Sequence, residues 1–325
     1  MLDRSTIWPY RDGEPGHFIY QRYGHPTGAE AEGKLGELDG GHAVLFSSGA
    51  GATTALALSL LAPGKTIALA EGAYFGTGVT FRELERWGLR YVEFDQTDAP
   101  PDGVDLLWLE APSNPFQTMP DLEAAAAHPA PVVVDATAAT PVHLRPLEHG
   151  ADFVLHSATK YLAGHDDALL GAVVCRRAED AARLLELRTR TGIVAAPDPC
   201  YLLLRGLKTL DVRVRRQTES ARELARRLAE HPNVGVVRYA GIGGLLSFDV
   251  AGAEEAHRVE TSLRLITNAT SLGSVDSLLE SRARWEGNRV PPGLLRLSVG
   301  LEPVEDLWQD LAQALEFPGR FRARE

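Results

Sequence analysis

Short apolar runs recur through the first part of the chain, at 43–46, 66–70, 91–94, 106–109, 131–135, 151–156 and 168–175. They are continuous rather than alternating, which is the pattern of strands covered on both faces. Between them lie stretches with helical spacing: 30–38, a run through about 61, a run that follows the loop at 74–77 and continues through Trp87, and 121–127. A repeat of strand, loop and helix predicts an α/β unit with a mostly parallel sheet. After residue 197 the pattern changes. Residues 197–231 read as mostly helical, with leucines at helical spacing, and lead into a second unit. There, strands are expected at 234–239, 245–250 and 294–299, and helices at 253–263 and 303–315. Their irregular order suggests a smaller C-terminal α+β domain with an antiparallel sheet. The expected organisation is an irregular arm over 1–22, a large domain over 23–211 and a small domain over 212–325.

Composition narrows the classes. The chain has 325 residues, 44% hydrophobic and 24% charged, which suits a folded protein with a large core. A net charge of -11 argues against a nucleic-acid surface. Arg213, Arg215, Arg216, Arg222, Arg226 and Arg227 cluster, but they alternate with Glu219 and Glu223 on an expected helix. They read as a solvated, salt-bridged face. The two cysteines, Cys175 and Cys200, show no metal-ligand spacing, so no metal site is expected, and nothing in the chain requires a disulfide. The N-terminus has no basic region followed by an apolar one, and the longest apolar stretch, near 53–62, is too short to cross a bilayer. A cytoplasmic protein without a membrane partner is expected.

In parallel sheets, ligands gather at the carboxyl ends of the strands. Five strand ends here carry polar groups: Ser47–Ala50, the loop at Tyr74, the turn at Asn114, Asp135, and the loop Ser157-Ala-Thr-Lys160. A lysine between two buried strands is partly desolvated, which favours its neutral, nucleophilic form. The spacing alone is weak, because most lysines are solvated. Ser157 to Lys160 also matches the S-x-x-K of penicillin-binding proteins and class A β-lactamases. That chemistry needs an S-D-N and a K-T-G, and neither is present. A lysine, a strand-end carboxylate, a helix N-terminus and a nearby tyrosine together suit pyridoxal 5'-phosphate. They offer a Schiff-base amine, a partner for the pyridine nitrogen, a phosphate site and a stacking ring.

On these motifs, from about Tyr20 to Leu315, the chain resembles the Cys/Met-metabolism (trans-sulfuration) group of fold-type-I pyridoxal-phosphate enzymes, which are cystathionine γ-synthase- and γ-lyase-like. The resemblance implies a Schiff-base role for Lys160, and phosphate contacts for Ser157, Thr159, Gly49 and Ala50. It implies that Tyr74 stacks on the ring and assists the leaving group, that Asp135 pairs with the pyridine nitrogen, and that Asn114 lies near the ring hydroxyl. Tyr20 and Arg22 would reach the phosphate of a neighbouring subunit. Ser271 and Leu272 would flank the lysine, and Arg296 would bind the substrate α-carboxylate. From the residues alone, an arginine opening an apolar strand is more often paired with a protein carboxylate, so both readings of Arg296 stand. The implied assembly is at least a homodimer. The family's homotetramer is left open by the short arm before Tyr20.

The chain departs from the family pattern in places. The usual D-N-T is Asp135-Ala-Thr137, and the usual N-P-T is His25-Pro-Thr27. The loop after Tyr74 lacks both the basic residue of cystathionine enzymes and the cysteine of methionine γ-lyase. Thr270 stands where several γ-lyases have an acidic residue. The histidine-containing stretch after Leu279 is replaced by Glu280-Ser-Arg-Ala-Arg-Trp-Glu-Gly-Asn-Arg289. That segment either recognises the far end of a substrate or is a solvated loop. The expected activity is elimination or replacement at a carbon–sulfur bond of an amino acid, with γ chemistry first. A β-acting C–S lyase and a non-catalytic cofactor-binding regulatory protein are the alternatives.

Overall fold

A computed structural model describes residues 1–316. The tail of the expected small domain, 317–325, lies outside the described residues. The large sheet contains β1 (His42–Phe46), β2 (Thr66–Ala70), β3 (Arg90–Phe94), β4 (Leu106–Glu110), β5 (Val132–Asp135), β6 (Phe153–His156) and β7 (Gly171–Cys175). Their order is β1-β7-β6-β5-β4-β2-β3. Strands β2 to β6 pair in parallel, while β7 runs antiparallel to both its neighbours. Because β1 and β6 flank β7, they share a direction. The carboxyl ends of β1, β2, β4, β5 and β6 therefore meet at one edge.

The helices of this part are α1 (Pro26–Asp39), α2 (Gly49–Leu60), α3 (Phe75–Leu84), α4 (Leu122–Ala126), α5 (Thr140–His143), α6 (Ala178–Thr191) and α7 (Pro197–Leu207). They cover both faces of the sheet, and this explains the continuous apolar runs. Val44 and Phe46 of β1 and Val173 and Cys175 of β7 face one hydrophobic cluster, whereas Leu45, Ala172 and Val174 face another. Edge strand β3 is covered less and is largely exposed.

The second sheet contains β8 (Val237–Arg238), β9 (Leu245–Asp249), β10 (Thr267–Asn268), β11 (Leu278–Ser281) and β12 (Leu294–Ser298), in the order β10-β11-β12-β9-β8. All pairs are antiparallel except β10 with β11. With it go α8 (Leu210–Ala229), α9 (Ala253–Ser262), α10 (Ala283–Glu286) and α11 (Val304–Leu315). Alternation along the strands sorts the faces. Leu295 and Leu297 of β12 join Leu246 and Phe248 of β9 in a core under the helices. Arg296 points the other way, toward the large sheet, where it meets Asn114. Ser247 likewise donates to the Pro115 carbonyl.

Several expectations shift. Strands β6 and β7 begin at 153 and 171 rather than 151 and 168, and the strand expected at 234–239 shrinks to Val237–Arg238. Helix α6 and strand β11 were not expected. Cys175 and Cys200 are buried, free thiols. Arg213 does not belong to the solvated face. It is 3% exposed and donates to the Tyr161 and Gly206 carbonyls at 2.9 and 2.8 Å. Arg215, Arg216, Arg226 and Arg227 do pair along α8, with Asp211, Glu219 and Glu223, whereas Arg222 donates to the Gly241 carbonyl.

Candidate active site

The strand ends enclose a cavity of about 470 Å³. Lys160, Tyr74, Asn114, Asp135, Ser157, Thr159, Gly49, Ala50, Ser271, Leu272 and Arg296 all line it, so most of the expected site residues are brought together. Tyr20 and Arg22 are not brought there within one chain. The Arg22 guanidinium lies over the rings of Tyr20 and Tyr23, and its Nη1 donates to the Thr189 carbonyl at the end of α6.

Lys160 sits on the turn after β6, half-buried. Its Nζ donates to Ser271 Oγ at 2.6 Å. Burial and then the nearby Arg296 guanidinium push its pKa below that of an ordinary lysine, with Asp166 and Glu280 opposing. The amine is thus moved toward its nucleophilic form. Ser271 reaches it from a backbone with φ of 107°, a conformation uncommon for a residue with a side chain.

Asp135 ends β5 and is 7% exposed. Its Oδ1 accepts from Thr137 N at 2.9 Å and Thr137 Oγ1 at 2.5 Å. Thr137 Oγ1 in turn accepts from Ser157 N, which ties β5 to the lysine loop. Burial raises the Asp135 pKa, while the Thr137 donors and His156 lower it.

Helix α2 starts directly after β1. Ser48 caps it by accepting from Gly51 N at 3.0 Å, which leaves the Gly49 and Ala50 N–H groups at the open helix end. A Cβ on Gly49 would lie 3.1 Å from Ser157 Oγ, so the serine hydroxyl adjoins those amides. Gly171, at the start of β7, abuts the Ser48 carbonyl so closely that any Cβ would collide with it. The Thr159 hydroxyl is engaged with the Leu170 main chain on both sides.

Tyr74 caps α3 and is 43% exposed. Its N–H donates to Glu110 Oε2 at 2.5 Å. Glu110 ends β4 directly beside Asp135 across the strand pair. Burial first, and then the Asp135 charge, raise the Glu110 pKa well above the ordinary carboxylate range. Arg282 and Trp285, from the segment weighed between substrate recognition and a solvated loop, line the cavity, and so do Glu110 and Thr137, which were not singled out as site residues. Glu110 ends β4 just as Asp135 ends β5, and that parallel was the available signal.

Arg296 is 3% exposed. It donates to Glu280 Oε1 at 2.5 Å, to the Ser271 carbonyl at 2.9 Å and to Asn114 Oδ1 at 3.2 Å. Glu280 faces it across β11 and β12. The protein-carboxylate partner weighed from the sequence is therefore present, and Arg296 still borders the cavity. Burial and Arg282 bring its pKa down to about 10, with Glu280 and Glu286 opposing, so it is charged at neutral pH.

Two open amides and a hydroxyl at a helix N-terminus suit a phosphate. A buried strand-end carboxylate and a desolvated lysine suit a pyridinium and an aldehyde. This donor set fits pyridoxal phosphate and defines a lysine-based cofactor enzyme on an α/β scaffold. A family model described as Cys/Met metabolism PLP-dependent enzyme matches residues 3–316, and the chain belongs to that family. It is 44% identical to an L-methionine γ-lyase of Streptomyces avermitilis, over 97% of this chain and 83% of the relative. It is 37% identical to a cystathionine γ-synthase of Mycobacterium tuberculosis, over 93% and 87% respectively. A crystal structure of a methionine γ-lyase from Micromonospora echinospora matches with a TM-score of 0.91 and 37% identity, over 97% of this chain and 93% of that one. The chain is a pyridoxal-phosphate-dependent enzyme of sulfur amino-acid metabolism. No helix among the described residues is long and apolar enough to cross a membrane.

Proposed function

We propose that this chain cleaves the Cγ–S bond of an L-amino acid by γ-elimination, with replacement at Cγ as the related reaction. The observation that carries this reading is the convergence of Lys160, Tyr74, Asp135 and Arg296 on one cavity. The relatives named γ-lyase and γ-synthase support the position of the bond.

Lys160 would hold the cofactor, Asp135 its ring nitrogen, and Gly49, Ala50, Ser157 and Thr159 its phosphate, with Asn114 near the ring hydroxyl. Bound there, the cofactor supplies an electron sink that acidifies the substrate's α- and β-hydrogens. Arg296 orients the α-carboxylate with the guanidinium edge not held by Glu280. Lys160, its pKa lowered by burial, takes the α-proton, and Ser271 fixes the amine's position. Leu272 lines the same cavity. Tyr74, half-exposed at the mouth, delivers a proton to the departing sulfur. The products are a thiol, ammonia and a 2-oxo acid, with one water consumed.

The same reading divides the chain at about 211 into a cofactor domain and a small domain. It makes the enzyme a homodimer at least, with Tyr20 and Arg22 completing the partner's phosphate site, and it places the enzyme in the cytoplasm. The test is product identification with the cofactor-loaded protein and L-cystathionine or L-methionine. 2-Oxobutanoate supports γ-elimination. Pyruvate from cystathionine moves the assignment to a β-acting lyase. A visible cofactor band that responds to no amino acid leaves the non-catalytic reading.

A further inference from the structure

The segment that departs from the family pattern forms the far wall of the cavity: the end of β11, helix α10 and the turn toward β12. Arg282 and Trp285 from it line the same cavity as Lys160 and Arg296. Arg282 is 1% exposed, and its charge is matched on two sides. Nη1 donates to Glu280 Oε1 at 2.7 Å, while Nε and Nη2 donate to Glu286 Oε1 at 3.0 and 2.8 Å. Its guanidinium carbon lies 5.6 Å from the centre of the Phe75 ring. Glu280 also accepts from Arg296 and, through Oε2, from Trp285 Nε1. The wall thus holds two guanidiniums against two carboxylates.

That balance limits what can bind. A substrate α-carboxylate against Arg296 uses the site's attraction for one anion. A second carboxylate, at the far end of the side chain, meets an Arg282 already paired and loses its hydration without compensation. An uncharged end meets Phe75 and the indole of Trp285 at no such cost.

We propose that Glu286 masks Arg282 and so makes this cavity select L-amino acids whose γ-sulfur substituent ends in an uncharged group. The inference rests on the γ-elimination reading and names the substrate class within it. Glu286 acts through Arg282 and is a positioning residue. Without it, the Nε–H and Nη2–H fork of Arg282 is free, in the geometry that suits a carboxylate.

A matched pair of substrates tests this. S-Ethyl-L-homocysteine and S-carboxymethyl-L-homocysteine have the same length and differ in a terminal methyl against a carboxylate. Two quantities are measured on the cofactor-loaded protein: 2-oxobutanoate formation, and apparent affinity from the change in the cofactor's visible absorption. The unaltered protein is expected to favour the ethyl compound by about tenfold or more in both. Glu286→Gln and Glu286→Ala are expected to shrink that preference by about tenfold, through a gain on the carboxymethyl compound. Adding Arg282→Met to Glu286→Ala removes the gain. An unaltered protein that treats the two alike, or prefers the carboxylate, overturns the proposal, and this comparison needs no variant to fold. Equal losses on both substrates in Glu286 variants with unchanged circular dichroism also overturn it. If neither compound turns over but the affinity preference holds, the γ-elimination reading fails and the selection stands.

Discussion

At the scale of the residue, the site works by setting proton positions through burial. Lys160 loses hydration and faces Arg296, so its amine is deprotonated more readily than a surface lysine. Covalent cofactor uptake by the cofactor-free protein, trapped with borohydride and read as mass on Lys160, should rise with pH. Its midpoint should lie below the ordinary lysine value of about 10.4. A midpoint at or above that value would remove desolvation as the activating factor. Glu110 shows the opposite shift. Its folded pKa is raised, so the folded state holds a proton that the unfolded chain releases above about 4.5. The stability this proton contributes is full below the unfolded value and is lost as pH rises through the folded one. Denaturation of the cofactor-free protein should show Glu110→Gln gaining on the parent over that window, by up to about 1.4 kcal/mol per pH unit. A constant difference between the two proteins across pH would mean that Glu110 titrates normally.

At the scale of the element, each site group is held where a strand passes into its loop or helix. Asp135 is fixed by Thr137, and Thr137 by the loop after β6, so two neighbouring strand ends share one hydrogen-bonded seam. The turn bearing Lys160 is clamped from behind by α8. Arg213 donates to the Tyr161 carbonyl, one residue after the lysine, and to the Gly206 carbonyl near the end of α7. The cation thereby meets the negative end of a helix, and burial lowers its pKa. Arg213→Leu leaves those carbonyls unsatisfied and should cost about 3 kcal/mol, read as a lower denaturation midpoint. Loss of cofactor affinity should accompany it if the clamp sets the lysine's position, whereas a stability change alone would make Arg213 purely structural. From the sequence Arg213 looked like its neighbours on α8, because a helical spacing gives the face of a residue but not what packs against it.

At the scale of the whole molecule, the cavity closes only where the two sheets meet, with Arg296 brought from β12 to Asn114 after β4. Tyr20 and Arg22 lie away from their own chain's cavity, which is the arrangement required if they serve a partner. Co-expressing Lys160→Ala with Arg22→Ala should then restore about a quarter of parental activity, because half of randomly paired dimers carry one intact site. No recovery in verified mixed dimers would place all the machinery within one chain. The local pattern of the sequence determined the strands, the mostly parallel sheet and the polar groups at its edge, because two-sided burial writes itself as continuous apolar runs. Motif order added the cofactor and the roles implied for Lys160 and Asp135. Only the tertiary structure decided that Glu280 holds Arg296, that Glu110 supports Tyr74, that Arg213 is buried and that Arg282 is paired rather than solvated. Each of these depends on which charge lies across from which. Residues far apart in the chain meet through sheet register and domain packing, and no spacing along the chain records that.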